Sequence, residues 1–390
     1  MVNIARDTVL LYIATFFSYL GIAVFVPLLS LYIKYLGGTG SEIGFIFSLF
    51  FGTMIVFGAI FGAIIDLYGH EKKLLLLGTL LTILSFYGIG TSHAVEQVAF
   101  YRAMMGIGFA GFNTSATVTV TRFSSKYGKE VGDYTVFQAL GLLVGYFLGG
   151  LFAESFGMDV AFQIIAIIAS PSIIAVAFLR PPSKERGQES VSEKVFLKSV
   201  KKRLLPSSSH LLSIGIILAY IAYFVRTMAM SGWKAFVSIY LNSLGASLLL
   251  LGIIYAVSVI PQLPITPLAG RLIDKLGAKK FIVLSLITTA FYIGITPLID
   301  NYWYGLVLIS LDGVIFGIMF TAVSGYVSKY VPEENRGEAI GLIYTSFGFG
   351  GLLGPILSGI LVDLFGMVAM MYFFSLLTIP IAILALKYLY

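Results

Sequence analysis

Three residues carry charge deep within apolar stretches of this chain: Arg102, Arg226 and Asp312. A charge at bilayer depth costs about 2.5–3.5 kcal/mol on insertion scales, so each needs a partner or water and is a candidate functional group. Together they offer proton chemistry. Burial and a neighbouring cation act in opposite directions on a carboxyl's hold on its proton, so Asp312 close to Arg226 would be poised to titrate. Asp312 falls near the middle of its apolar stretch, and Arg226 is expected in the outer half of its own. The competing reading is a permanent Arg226–Asp312 pair that holds the second half of the chain together. Arg102 has an equally ordinary alternative, as an anchor for neighbouring helix carbonyls.

Neutral polar residues form a second tier of candidates to line a polar cavity: Asn113, Gln138, Gln163, Gln262 and Tyr223, with Tyr19, Tyr220 and Trp233 beside them. Two arginines against one aspartate leave the candidate site slightly positive, which favours anionic or amphipathic ligands over cations. Enzymatic chemistry has little to stand on. His70, His93 and His210 fall far apart in connecting segments, so they suggest neither a metal set nor a triad. There is no cysteine and no Gly-Lys-Ser/Thr phosphate loop, so no cofactor and no direct use of ATP is expected. The chain is expected not to be an enzyme.

The elements that would position these residues are membrane helices. The chain is 58% hydrophobic and 11% charged, far more apolar than a soluble domain of 390 residues requires. Runs long enough to span a bilayer fall near 8–32, 41–65, 74–92, 97–121, 133–156, 160–179, 209–233, 246–270, 280–299, 302–327, 338–362 and 366–390. The segment 8–31 is too long for a signal core, and no cleavable signal is apparent. Twelve spans put both termini on one side, and 21 of the 25 basic residues fall in connections on that side. Short basic loops stay in the cytoplasm, so both termini are expected there. Lys34 and Lys234 are assigned to the opposite side. The net charge of +6 is thereby explained by topology, and nucleic acid is not an expected partner.

The chain is also duplicated. Gly62, Asp66, Gly69 and Lys72 recur 208 residues later as Gly270, Asp274, Gly277 and Lys280, and Tyr32, Leu36, Gly37 and Gly44 recur as Tyr240, Leu244, Gly245 and Gly252. In the fifth and eleventh spans the offset becomes 209: Gly141 with Gly350, Gly145 with Gly354, Gly150 with Gly359, and Glu154 with Asp363. Glycines four apart share a helix face and let helices approach closely. Pro261, Pro264, Pro267, Pro297 and Pro355 sit inside spans, where a missing amide donor bends a helix. The expected architecture is an all-α membrane protein, with twelve transmembrane helices in two pseudo-symmetric six-helix bundles at 1–180 and 209–390. Between them runs a cytoplasmic linker, 181–208, where Val195, Phe196, Val200 and Leu204 suit an amphipathic helix on the membrane surface. A flexible tether whose lysines only enforce topology is the other reading.

At these residues the sequence resembles the major facilitator superfamily of secondary transporters, over nearly its whole length. The family's signature between the second and third spans reads Gly-x-x-x-Asp-(Arg/Lys)-x-Gly-(Arg/Lys)-(Arg/Lys). Gly62, Asp66 and Gly69 match it, while Leu67 replaces the first basic residue and the basic pair is delayed to Lys72–Lys73. The second copy is closer, with Gly270, Asp274, Lys275, Gly277 and Lys279. Arg102 and Gly106 match an Arg-x-x-x-Gly pattern of the fourth span. Gly141, Gly145, Gly149 and Gly150 resemble the fifth-span pattern of drug/proton antiporters, except that Tyr146 stands where that pattern has proline.

The resemblance implies two bundles that expose a midplane site alternately to each side, with the first, fourth, seventh and tenth spans lining it. It implies that Asp312, Arg226 and Arg102 face this cavity, with Arg102 assisting proton movement. Asp66 and Asp274 would act as inner latches facing the starts of the eleventh and fifth helices, near Arg336–Glu338 and Lys129–Asp133. The expected function is a proton-coupled antiporter of the cell membrane, a multidrug efflux type of pump for a small hydrophobic or amphipathic solute. Its partners would be that solute, protons and the lipid bilayer, with a monomer as the working unit. An importer or uniporter for a sugar or organic acid shares every helix, and a non-transporting receptor or scaffold on the same frame is the reading from another class.

Overall fold

The computed structural model describes residues 4–123, 127–180, 193–204 and 213–389. Among these the chain is all helix, apart from short turns. The helices are α1 (Ile4–Tyr35), α2 (Gly40–Tyr68), α3 (Glu71–Gly90), α4 (Val95–Phe123), α5 (Tyr127–Phe156), α6 (Met158–Ala169), α7 (Pro171–Phe178), α8 (Glu193–Leu204), α9 (Ile214–Ser243), α10 (Leu248–Val259), α11 (Gln262–Leu276), α12 (Ala278–Ile295), α13 (Trp303–Tyr330) and α14 (Arg336–Tyr388). Ten stretches of described residues are long and apolar enough to cross a bilayer. One of them, Glu333–Tyr388, is two spans joined end to end: Gly366 interrupts α14 at φ 83°, ψ 167°. The remaining span, fourth in chain order, is α4, long enough at 29 residues but made less apolar by Arg102, Asn113 and its threonines. Ser170 separates α6 from α7, and Pro261 lies between α10 and α11, so the sixth and eighth spans are each broken in two.

The duplication is visible in the backbone. Glycines with positive φ among the described residues are Gly37, Gly69, Gly157, Gly245, Gly277 and Gly366. They form three pairs at the repeat spacing: Gly37 with Gly245, Gly69 with Gly277, and Gly157 with Gly366. A left-handed residue is costly for any side chain with a Cβ, so each pair marks a turn that both halves make in the same way. Gly69 and Gly277 end α2 and α11, their amides bonded to the carbonyls of Ile65 (3.0 Å) and Ile273 (2.9 Å).

Contacts gather the chain into two compact units. Unit one comprises Met1–Leu36, Gly52–Lys201 and Leu248–Ala256; unit two comprises Gly37–Phe51, Lys202–Ser247 and Val257–Tyr390. The first part of α2, to Phe51, therefore packs with the second half of the sequence, and most of α10, Leu248–Ala256, with the first. In unit one α1 lies along α5 and α3 along α4; in unit two α9 lies along α14 and α12 against α13 and α14.

Glycine makes the closest of these approaches possible. A Cβ at Gly145 would collide with the carbonyl of Leu20, and one at Gly354 with the carbonyl of Met228. These two glycines are repeat partners, and they set how near α5 comes to α1 and how near α14 comes to α9. An apolar cluster in unit two, including Ile216, Tyr223, Leu286, Met319, Val323 and Tyr326, fills the space between its helices. Helix α8 covers the stretch expected to be amphipathic; most of the remaining linker expected at 181–208 lies outside the described residues.

Candidate transport site

Asp312 sits on α13, fully buried, and three side chains converge on it. Arg226, on α9 and also fully buried, brings Nη2 to 2.8 Å from Oδ1 and donates to the Asp312 main-chain carbonyl at 3.2 Å. The Tyr292 hydroxyl on α12 donates to the same Oδ1 at 2.7 Å. Lys234 Nζ lies 2.6 Å from Oδ2. Arg226 is steadied further by Met230 Sδ, 3.2 Å from Nη1, and by the Phe316 ring, 5.7 Å from its guanidinium carbon. Trp233 stacks edge-on against Tyr292 at 5.1 Å and donates its indole N–H to Thr296 Oγ1 at 3.1 Å, fixing the tyrosine from behind.

Helical spacing explains the convergence. Arg226, Met230 and Lys234 follow one another at four-residue steps along a single face of α9, the face turned to α13 and α12. Hydropathy assigns Lys234 to a loop on the far side, because the apolar run ends at Trp233. That assignment is corrected: α9 continues to Ser243, and Lys234 lies well inside it with its ammonium on a carboxylate. A lysine matched in this way does not need to leave the span. Arg226 lies two turns before Lys234 on the same helix.

The cluster has no counterpart in the first half. At an offset of 208 residues, Ser18, Val26 and Met104 occupy the places of Arg226, Lys234 and Asp312. The two halves share their frame and differ here, as a graft of chemistry on a duplicated scaffold would.

In unit one, Gln138 Nε2 donates to the Tyr19 hydroxyl at 2.8 Å, and that hydroxyl donates to Asn113 Oδ1 at 3.2 Å, so three of the neutral candidates form one chain. Arg102 is in the same unit, 5% exposed, with Nη1 3.0 Å from Met105 Sδ. Gln163 stands apart, its amide donated to the Gly90 carbonyl at the end of α3. Gln262 opens α11, and Tyr223 is buried on α9, stacked on Phe347. Asp66 and Asp274 are both exposed, near the ends of α2 and α11, and Gly62 and Gly270 lie one turn before them. Lys72 of the signature loop donates to the Ala177 carbonyl at 2.8 Å and so caps α7.

A second pair of carboxylates does work that the sequence shows only as a repeat. Asp363 Oδ1 accepts from the Gly40 amide at 2.8 Å, and Oδ2 from the Ser41 amide at 2.8 Å and the Ser41 hydroxyl at 2.5 Å. Glu154 Oε2 accepts from the amides of Leu248 and Leu249 at 2.9 and 3.3 Å. Each carboxylate thus holds the first turn of a helix, α2 in unit two and α10 in unit one, where free amides and the helix dipole favour negative charge. Asp363 lies at the last turn of the eleventh span, three residues before the Gly366 turn.

Residues 9–374 match the MFS_1 like family. The chain belongs to that family. It is a major facilitator superfamily transporter frame over essentially its whole length. An uncharacterized MFS-type transporter of Methanocaldococcus jannaschii is 25% identical, the alignment covering 99% of this chain and 98% of that protein. Multidrug resistance protein 2 of Bacillus subtilis is 26% identical over 90% of this chain and 87% of its own length. Among solved structures, the nucleoside transporter NupG matches with a TM-score of 0.82 at 15% identity, covering 98% of this chain and 98% of that one. At that identity the likeness to NupG speaks for the fold alone. As an MFS_1 like protein, the chain is a multi-pass membrane transporter of small molecules.

Proposed function

We propose that this transporter couples protons to the movement of a small hydrophobic or amphipathic solute by alternating access, in the efflux direction, across the cell membrane with both termini cytoplasmic. The observation that carries the proposal is the buried Asp312 carboxylate, shared between Arg226 and Lys234. Lys234 is the weaker-held partner, since its side chain is 29% exposed while that of Arg226 is fully enclosed. A proton and the Lys234 ammonium compete for the same oxygen, Oδ2. Protonation on one side of the membrane releases Lys234, and deprotonation on the other recaptures it. Arg226 and Tyr292 keep Asp312 oriented throughout.

In this reading Arg102 assists proton movement in unit one, and the linked Tyr19, Asn113 and Gln138 line the solute path, with Gln262 and Tyr223. Asp66 and Asp274 act as breakable inner latches, with Gly62, Gly69, Gly270 and Gly277 shaping their turns. The protein works as a monomer. Efflux is favoured because the Bacillus subtilis relative is a multidrug resistance protein. Import of a nutrient is the second reading, since the nucleoside transporter NupG has the same fold.

The test is reconstitution into liposomes with an imposed pH gradient and a panel of candidate solutes. The membrane potential would contribute about 2.3 kcal/mol per charge per 100 mV in addition to the pH gradient. Saturable flux that follows the proton gradient and collapses with an uncoupler supports the proposal. Saturable flux indifferent to the gradient would indicate a uniporter, and binding without flux a receptor.

A further inference from the structure

The Asp312 cluster holds more positive charge than it can match. Arg226 and Lys234 against one carboxylate leave it at +1. The donors are the guanidinium, the ammonium and the Tyr292 hydroxyl. The acceptors are the two oxygens of Asp312, its main-chain carbonyl and the Met230 sulfur. Among the described residues Arg226 Nε has no hydrogen-bond partner, and of these acceptors Lys234 reaches Oδ2 alone. An unmatched charge is expensive at membrane depth.

The surplus has one outlet. From Val225 to Ile239, Lys234 is the only residue of α9 that is not buried. On the Arg226 side of the same carboxylate, unit two has an aromatic cluster with half-exposed rings: Phe316 lies 5.8 Å from Phe347, Phe51 lies 5.9 Å from Phe347, and Phe320 lies 5.7 Å from Tyr344. Phe316 also touches the Arg226 guanidinium, so the aromatic surface begins where the charge ends.

We propose that Lys234 is the recognition point for the anionic group of an amphipathic organic acid whose apolar body rests on the Phe316–Phe347 aromatic surface. This names a solute class for the transport reading above and rests on it. A carboxylate, sulfonate or phosphate supplies the missing negative charge and accepts from the Lys234 ammonium. Cationic solutes would meet a site already positive.

The chain contains only two tryptophans, Trp233 and Trp303, and Trp303 is exposed at the start of α13. A Trp303→Phe protein therefore reports on Trp233 alone, the residue adjoining Lys234. In nanodiscs this protein is titrated with phenylbutyrate, phenylbutanamide and phenylbutylamine, which share one apolar body and differ in charge. The expected result is saturable change in Trp233 emission, with the acid binding about tenfold or more tighter than the amide or the amine. Lys234→Gln, which leaves Arg226 and Asp312 as a matched pair, removes the preference; Lys234→Arg keeps it. Equal or tighter binding of the amine, a preference untouched by Lys234→Gln, or no saturable binding of any of the three would overturn the assignment. The outcome is separable from the transport reading. Acid binding without proton-driven flux leaves the assignment standing and removes the coupling. Proton-driven flux of a solute by the parent protein, with no preference for the acid in the binding titration, does the reverse.

Discussion

Lys234 Nζ lies 2.6 Å from Asp312 Oδ2 while Arg226 holds the other oxygen, so one buried carboxylate is divided between a sealed cation and an accessible one. The asymmetry gives the cluster a direction: the exposed partner can leave without dismantling the pair beneath it. It also orders the consequences of mutation.

Asp312→Asn raises the cluster from +1 to +2. Breaking a buried ion pair from one side costs about 3–5 kcal/mol, and water reaching Lys234 places this case at about 3. Lys234→Gln brings the cluster to neutrality and should change thermal stability little. Combining them should restore part of what Asp312→Asn loses, because one unmatched cation is gone. Melting curves of the four proteins in one detergent check this; strictly additive effects would show that Lys234 and Asp312 are not coupled.

The carboxylates at the helix starts predict a pH dependence. Asp363 holds the Gly40 and Ser41 amides as a carboxylate, so its contribution is present while it is ionised and is lost when acid protonates it. Removing such a cap costs about 0.5–2 kcal/mol, toward the low end for an exposed group. Asp363→Asn should therefore melt below the parent protein at neutral pH, and the two should converge on acidification below the usual carboxylate range. A gap that persists in acid would mean the carboxylate's charge is not what holds α2.

Gly145 and Gly354 should tolerate no side chain, because backbone carbonyls occupy the space. Leucine at either position is expected to cost about 1–3 kcal/mol or more through forced helix separation. Gly58, inside α2 with open space around it, is the contrast: Gly58→Ala should be neutral or stabilising by up to about 1 kcal/mol. Comparable losses at all three sites would remove the packing argument.

The absence of cysteine allows single reporters to be placed without background labelling. If Asp66 is an inner latch, Asp66→Asn should raise the labelling rate of cysteines placed at the cytoplasmic ends of the helices. Unchanged labelling would eliminate the latch.

Much of this is legible in the residues themselves. The repeat of Gly62–Lys72 in Gly270–Lys280 marks the two halves, and its left-handed glycines recur as the same turns. Arg226 and Asp312 stand out because charge is scarce in spans, and the structure brings them together. Lys234 escapes sequence reading because hydropathy treats every lysine as a solvated one and ends the span before it. Tyr292 escapes it because tyrosine is common here, 23 in all, and nothing in its neighbours marks it. The joining of α2 to the second unit and of the start of α10 to the first is tertiary, set by Asp363 and Glu154 reaching helix ends far away in sequence.

The claim that Asp312 carries the coupling is tested most directly by comparing two modes of flux in proteoliposomes containing Asp312→Asn. The account predicts that pH-driven accumulation of the solute is abolished while solute-for-solute counterflow persists, since exchange needs no net proton movement. Accumulation that still follows the proton gradient in Asp312→Asn would contradict it.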